Sequence, residues 1–103
     1  MATTLDNRAA ALRELQEIPG VGPIIARNLF AIGIHRIAQL KGRSPETLYR
    51  RLEKHEGAPL DRCALYVMRC AVYYAENERH SPRLLKWWNW MDGAVKPGRR
   101  ARR

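Results

Sequence analysis

Six consecutive residues, Ile18-Pro19-Gly20-Val21-Gly22-Pro23, set the first constraint on any fold for this chain. No α-helix runs through them, because proline removes a backbone donor and clashes with the preceding turn, and glycine loses the most backbone entropy. On either side the pattern is helical. Leu5, Ala9, Leu12 and Leu15 recur at helical spacing, with Asp6 placed to cap the first turn. Beyond the break, Pro23 suits the first position of a new helix, where its missing N–H is harmless. Ile25, Ala26, Leu29 and Phe30 give that helix an apolar side, and Gly33 ends it.

The rest of the chain repeats this punctuation. A short helix is expected over 35–41. Ser44-Pro45-Glu46 opens another, with serine as N-cap and proline at the first position, carrying Leu48 and Leu52 and ending at Gly57. The longest helix runs from about Leu60 to Glu78. No segment alternates as a strand would, so the class is all-α. A chain of 103 residues makes one small domain, here residues 1–95, followed by a basic tail over 96–103. The expectation is a compact bundle of about five to six helices.

On the long helix, Leu60, Cys63, Ala64, Val67, Cys70, Ala71 and Tyr74 share one face, and Leu65, Met68 and Val72 form a second apolar strip. Both need cover, and Leu84-Leu85-Lys86-Trp87-Trp88-Asn89-Trp90-Met91, read as a C-terminal helix, is the candidate for the second. Three tryptophans cannot all face inward on one helix, so one is left exposed; base stacking is the competing use of such a cluster. Cys63 and Cys70 on one helix stand about 10 Å apart in rise, too far for a disulfide, and read as buried thiols. With His35, His55 and His80 scattered, no metal site is expected.

Nineteen Lys and Arg against ten Asp and Glu give a net charge of +9, which points to a polyanionic partner, nucleic acid ahead of a membrane. Five of those positive residues are Lys96, Arg99, Arg100, Arg102 and Arg103, so residues 1–95 carry fourteen basic against ten acidic groups. The tail is expected to be disordered and to hold phosphates loosely and salt-sensitively. No apolar run approaches the ~18 residues of a membrane span, and the first residues lack a signal-peptide core. A cytoplasmic protein without a membrane partner is expected.

The Gly-X-Gly turn carries the functional signal. Such a turn lets the backbone approach a ligand without Cβ obstruction, and the following helix offers free N–H groups and a positive dipole end. Together they suit a backbone phosphate oxygen, bound without reading bases. The candidate phosphate contacts are the main-chain amides of Gly20, Val21 and Gly22, with Arg27 one turn into the second helix and Lys41 and Arg43 in a later break. The competing explanation is a plain packing turn anchored by Ile18 and Val21. The remaining basic residues, Arg50, Arg51, Lys54, Arg62 and Arg69, read as a solvated face with pairing one turn apart, for example Arg50 with Glu53 or Glu46.

Leu12, Leu15, Ile18 to Pro23, Ala26, Leu29 and Gly33-Ile34 together resemble the helix-hairpin-helix motif of DNA repair, recombination and replication proteins. Laying Gly20 on Gly57 also lays Leu12 on Tyr49, Leu15 on Leu52, Ala26 on Cys63 and Leu29 on Tyr66. This is similar to the tandem, SAM-like arrangement of two such units about a pseudo-twofold axis. In the second copy Pro59 stands where Gly22 stands in the first, and proline has no N–H to donate, so that hairpin reads as scaffold. Some relatives of the motif hold a monovalent cation on hairpin carbonyls, and no other cofactor is implied.

Ile18 to Pro23, Asp61-Arg62-Cys63-Ala64-Leu65-Tyr66-Val67-Met68-Arg69-Cys70-Ala71-Val72-Tyr73-Tyr74-Ala75 and Leu84 to Trp90 further resemble the bacterial pathogenicity-locus family, some of whose members carry a mitomycin-resistance label. That resemblance implies a bacterial protein with the tandem helical fold and brings no settled activity. The expected function is a non-enzymatic, sequence-independent module for DNA, as duplex. The alternative is a protein-interaction or adaptor domain, which an exposed tryptophan near 87–90 would mark. Lysine-dependent glycosylase or lyase chemistry is not expected, since no lysine sits in an evident apolar pocket and so short a chain leaves little room for a base-flipping cleft.

Overall fold

The structure is a computed structural model and describes residues 4–92. Four α-helices, α1 (Thr4–Leu15), α2 (Pro23–Ala31), α3 (Pro45–Glu56) and α4 (Arg62–Glu76), are joined by turns that include 3-10 segments at Ile37–Leu40, Arg83–Leu85 and Trp87–Trp90. No strand occurs among the described residues, and the domain is all-α. None of its described helices is long and apolar enough to cross a membrane. The basic tail, with Lys96, Arg99, Arg100, Arg102 and Arg103, lies outside the described residues.

Local chemistry explains most helix ends. Pro23 opens α2, and Gly33 at φ +97° follows its last turn. The Ser44 hydroxyl accepts from the Thr47 N–H at 3.2 Å to cap α3, whose far end closes on Gly57 in the left-handed conformation. Asp61 caps α4 by accepting from the Cys63 N–H at 2.9 Å. α1 already runs at Thr4, so Asp6 lies within the helix and is not its cap.

Two expected helices are shorter and tighter than the sequence suggested. The segment over 35–41 is a single 3-10 turn, held by the Gln39 side-chain carbonyl, which accepts from the His35 and Arg36 N–H groups at 2.7 and 2.9 Å. The tryptophan-rich segment is two 3-10 turns rather than one α-helix. Its buried anchors, Leu84 and Trp90, would point roughly 120° apart on a continuous α-helix. An extended Lys86 (φ −96°, ψ 114°) between the two turns lets both face inward.

α4 is the central element, and it is packed on two sides. Val67, Met68, Ala71, Val72 and Ala75 join Leu15, Ile18, Val21, Ala26, Leu29, Leu40, Leu48 and Leu52 in the main core. Cys70 meets Leu84 and Trp90 in a smaller cluster, edged by Tyr66, Tyr73 and Trp87. The tryptophan segment therefore covers Tyr66, Cys70 and Tyr73. Met68 and Val72, which it was expected to cover, face the other helices instead. Trp90 is buried and its indole N–H donates to the Leu84 carbonyl at 2.8 Å, while Trp88 is 50% exposed. Both cysteines are free; Cys70 is buried and Cys63 only half-buried.

Candidate functional site

The turn between α1 and α2 is built on two buried side chains, Ile18 and Val21. The Val21 N–H donates to the Ile18 carbonyl at 3.0 Å and closes the turn. That amide, one of the three expected to meet a phosphate, is thereby engaged within the chain. Gly20 sits at φ +89°, and a Cβ built there would lie 3.1 Å from Cδ1 of Trp87. This position needs glycine twice over, for its dihedral and for the indole against it.

Gly22 differs. It is the N-cap of α2 at φ −91°, ψ −172°, extended backbone open to any residue, and a Cβ there would meet nothing within 4 Å. No side chain caps the helix. Among the described residues, the amides of Gly20, Gly22, Ile24 and Ile25 donate to no partner. They surround the positive end of the α2 dipole. Arg27 is exposed one turn further on. Of the turn's carbonyls, Ile18 accepts from Val21, and Pro19 accepts from the Cys70 thiol at 4.0 Å.

Lys41 and Arg43 are exposed but are not brought to this turn. They flank Gly42, whose N–H donates to a Glu76 carboxylate oxygen at 2.8 Å at the far end of α4. Pro19 touches α4 at Cys70, about 9 Å of helix rise from Glu76. Arg43 Nε donates to the Gln39 carbonyl at 2.9 Å.

The turn between α3 and α4 has the same outline and the opposite chemistry. Gly57 is at φ +76°, and its N–H and that of Ala58 donate to the Glu53 carbonyl at 2.9 and 3.3 Å. The Leu60 N–H donates to the Glu53 carboxylate at 2.9 Å. A carboxylate of the chain itself thus accepts at this turn, and Asp61 adds a second acid. Arg50, expected to pair with Glu53 or Glu46, pairs with neither of them. The overlooked signal is the Leu60 amide, the first donor after Pro59, which needs an acceptor where α4 has not yet begun.

A groove of about 350 Å³ lies between the two turns. Ile24 and Ile25 contribute from the first turn, Leu60, Asp61 and Cys63 from the second, and Val67 and Trp87 line it further. Ile24, at its edge, is 65% exposed. Its one thiol, on Cys63, is held up in pKa by the hydrogen bond with Asp61 and then by burial, which leaves it a poor nucleophile.

Several cations expected on a solvated face are tied down elsewhere. Arg62 and Arg69 both reach Asp92, at 2.7 and 3.0 Å, and Arg69 also reaches Glu46 at 3.3 Å. Hydrogen bonds from Arg62 and then Arg69 hold the Asp92 carboxyl down at about 2. Arg51 donates to the Ile32 carbonyl at the end of α2. Arg36 pairs with Glu14 at 2.9 Å.

The family model for the pathogenicity locus matches residues 8–95, which include both turns, α4 and the tryptophan segment. The chain belongs to the pathogenicity-locus family. The chain is similar to the mitomycin resistance protein McrB of Streptomyces lavendulae, with 38% identity over 77 residues, 75% of this chain and 70% of that protein. No solved structure matches it. For this pathogenicity-locus protein, the matched span ends just before the basic run over 96–103.

Proposed function

We propose that this pathogenicity-locus protein is a non-enzymatic DNA-binding module that holds a backbone phosphate on the Gly20-Val21-Gly22 turn without reading base sequence. α1, the turn and α2 act as a helix-hairpin-helix unit, and α3 with α4 form a degenerate second copy. Gly22 is the observation that carries the proposal. Its dihedrals suit any residue and its Cβ would meet open space, so folding does not demand glycine there. Serine or aspartate would cap α2 better. A ligand backbone pressed against the turn gives glycine a reason, because it removes the only atom in the way. The amides of Gly20, Gly22, Ile24 and Ile25 supply donors, and Arg27 supplies a charge. The tail adds long-range, salt-sensitive attraction. The relative is named for mitomycin resistance; for this chain, DNA repair or recombination is the proposed setting.

The test is titration of the full chain and Gly22→Val against duplex DNA at two salt concentrations. The parent binds weakly and loses affinity steeply with salt. Gly22→Val keeps the helical circular dichroism of the parent and binds at least about tenfold more weakly, the loss of one charge-assisted contact. Equal binding by the two proteins would show that the turn does not hold phosphate.

An adaptor role is the second reading, supported by the exposure of Trp88 at 50% and Met91 at 44%. Tight association with a protein, together with indifference to DNA at low salt, would establish it in place of the first.

A further inference from the structure

We infer that the strand held on the first turn is an unpaired one, and that a base next to the bound phosphate lodges in the groove between the two turns against Trp87. This inference rests on the phosphate-binding role proposed for Gly20 and Gly22, and it narrows the ligand from a duplex to DNA with an unpaired stretch.

Charge is the first support. The two turns flank one groove, but only the first can receive an anion. At the second, Pro59 offers no N–H, the Leu60 N–H is taken by the Glu53 carboxylate, and Asp61 stands at the head of α4. A second phosphate backbone laid across that turn would meet two carboxylates. One strand is accommodated and its complement is repelled.

The groove supplies the second support. Ile24, Ile25, Leu60, Val67 and Trp87 make its walls apolar, which suits a base and not a phosphate. Trp87 is held in place by two neighbours: its ring lies over Gly20, and it meets the Trp88 ring edge-on at 5.6 Å. Ile24 stands 65% exposed beside the free amides, where a stacked base would cover it. The polar groups of the groove fit the rim of a base. Asn28 offers both donors and an acceptor, and the Asp61 carboxylate, which caps α4 through Oδ1 and also meets the Cys63 thiol, has acceptor lone pairs left for an exocyclic amino group.

The experiment uses the full chain carrying Trp88→Phe, so that emission comes from Trp87 and the buried Trp90. Three probes are compared: a single-stranded oligothymidylate, an oligomer of the same length lacking bases, and a blunt duplex. The single strand is expected to bind about tenfold more tightly than either of the others and to quench tryptophan emission, which the base-free strand does not. Ile24→Ser, at an exposed position that folding tolerates, removes most of that tenfold difference. Gly22→Val weakens the single strand and the base-free strand alike. If the three probes bind equally, or the single strand binds without quenching, while Gly22→Val still weakens them, the base site is wrong and the phosphate site stands. If Gly22→Val changes nothing, both fall.

Discussion

Gly20 and Gly22 lie two positions apart in one turn, yet alanine at each should have opposite consequences. At Gly20 the backbone sits at φ +89°, and a left-handed alanine costs about 1–2 kcal/mol. The new Cβ would also lie 3.1 Å from Trp87 Cδ1, so the indole must retreat a few tenths of an ångström from a packed position. A total of about 2–3 kcal/mol follows, within the usual range for a strained residue. For a domain of this size that lowers Tm by roughly 10–20 °C. At Gly22 alanine restricts the unfolded chain, which stabilises by about 0.4–1 kcal/mol. It is also a poorer N-cap than glycine, which offsets a similar amount. The net change is near zero, and Tm stays within a few degrees of the parent. Thermal melts followed by far-ultraviolet circular dichroism measure both. Were Gly22→Ala to melt as low as Gly20→Ala, folding itself would require Gly22 and its value as a mark of ligand approach would be gone.

Trp90→Ala should cost about 3–5 kcal/mol through the cavity left beside Cys70 and Leu84. Trp90→Phe should cost less but leave the Leu84 carbonyl only the weak Cys70 thiol donor at 3.5 Å; chemical denaturation ranks the two. Asp92 titrates at about 2 in the folded protein, below its ordinary 3.8. Its pairing with Arg62 and Arg69 therefore stabilises fully above about pH 4 and is lost as pH falls toward 2. The Tm gap between parent and Asp92→Asn should close over that window, and a gap independent of pH would refute the assignment. Glu53→Ala leaves the Leu60 N–H without an acceptor and should cost about 1–2 kcal/mol in the same denaturation assay.

The breaks of the chain were legible because their causes are local. Gly33, Gly57, Ser44 and the prolines act on their own dihedrals and on amides within a turn, so α2 and α3 fall where the pattern puts them. Most of what could not be read depends on partners far along the chain. The tryptophan segment is coiled into 3-10 turns by the demand that Leu84 and Trp90 both reach Cys70. Helical spacing on α4 shows two apolar strips without showing which neighbour takes which. At the candidate site, Gly20 and Gly22 were legible as open backbone. The engagement of the Val21 amide was not, since it depends on how tightly the turn closes. Lys41 and Arg43 looked eligible from charge alone, and only the contact of Gly42 with Glu76 places them at the other end of α4.

The carboxylate of Glu53 on the Leu60 amide also bears on how the molecule sits on a polymer. Nucleic-acid strands have direction, and a reader with two equivalent turns could settle on one in either sense. With one turn plugged from within, a single docking sense remains. On the proposed function, whatever is attached to the protein on either flank would then always face the same end of the strand, giving polarity to binding without sequence readout.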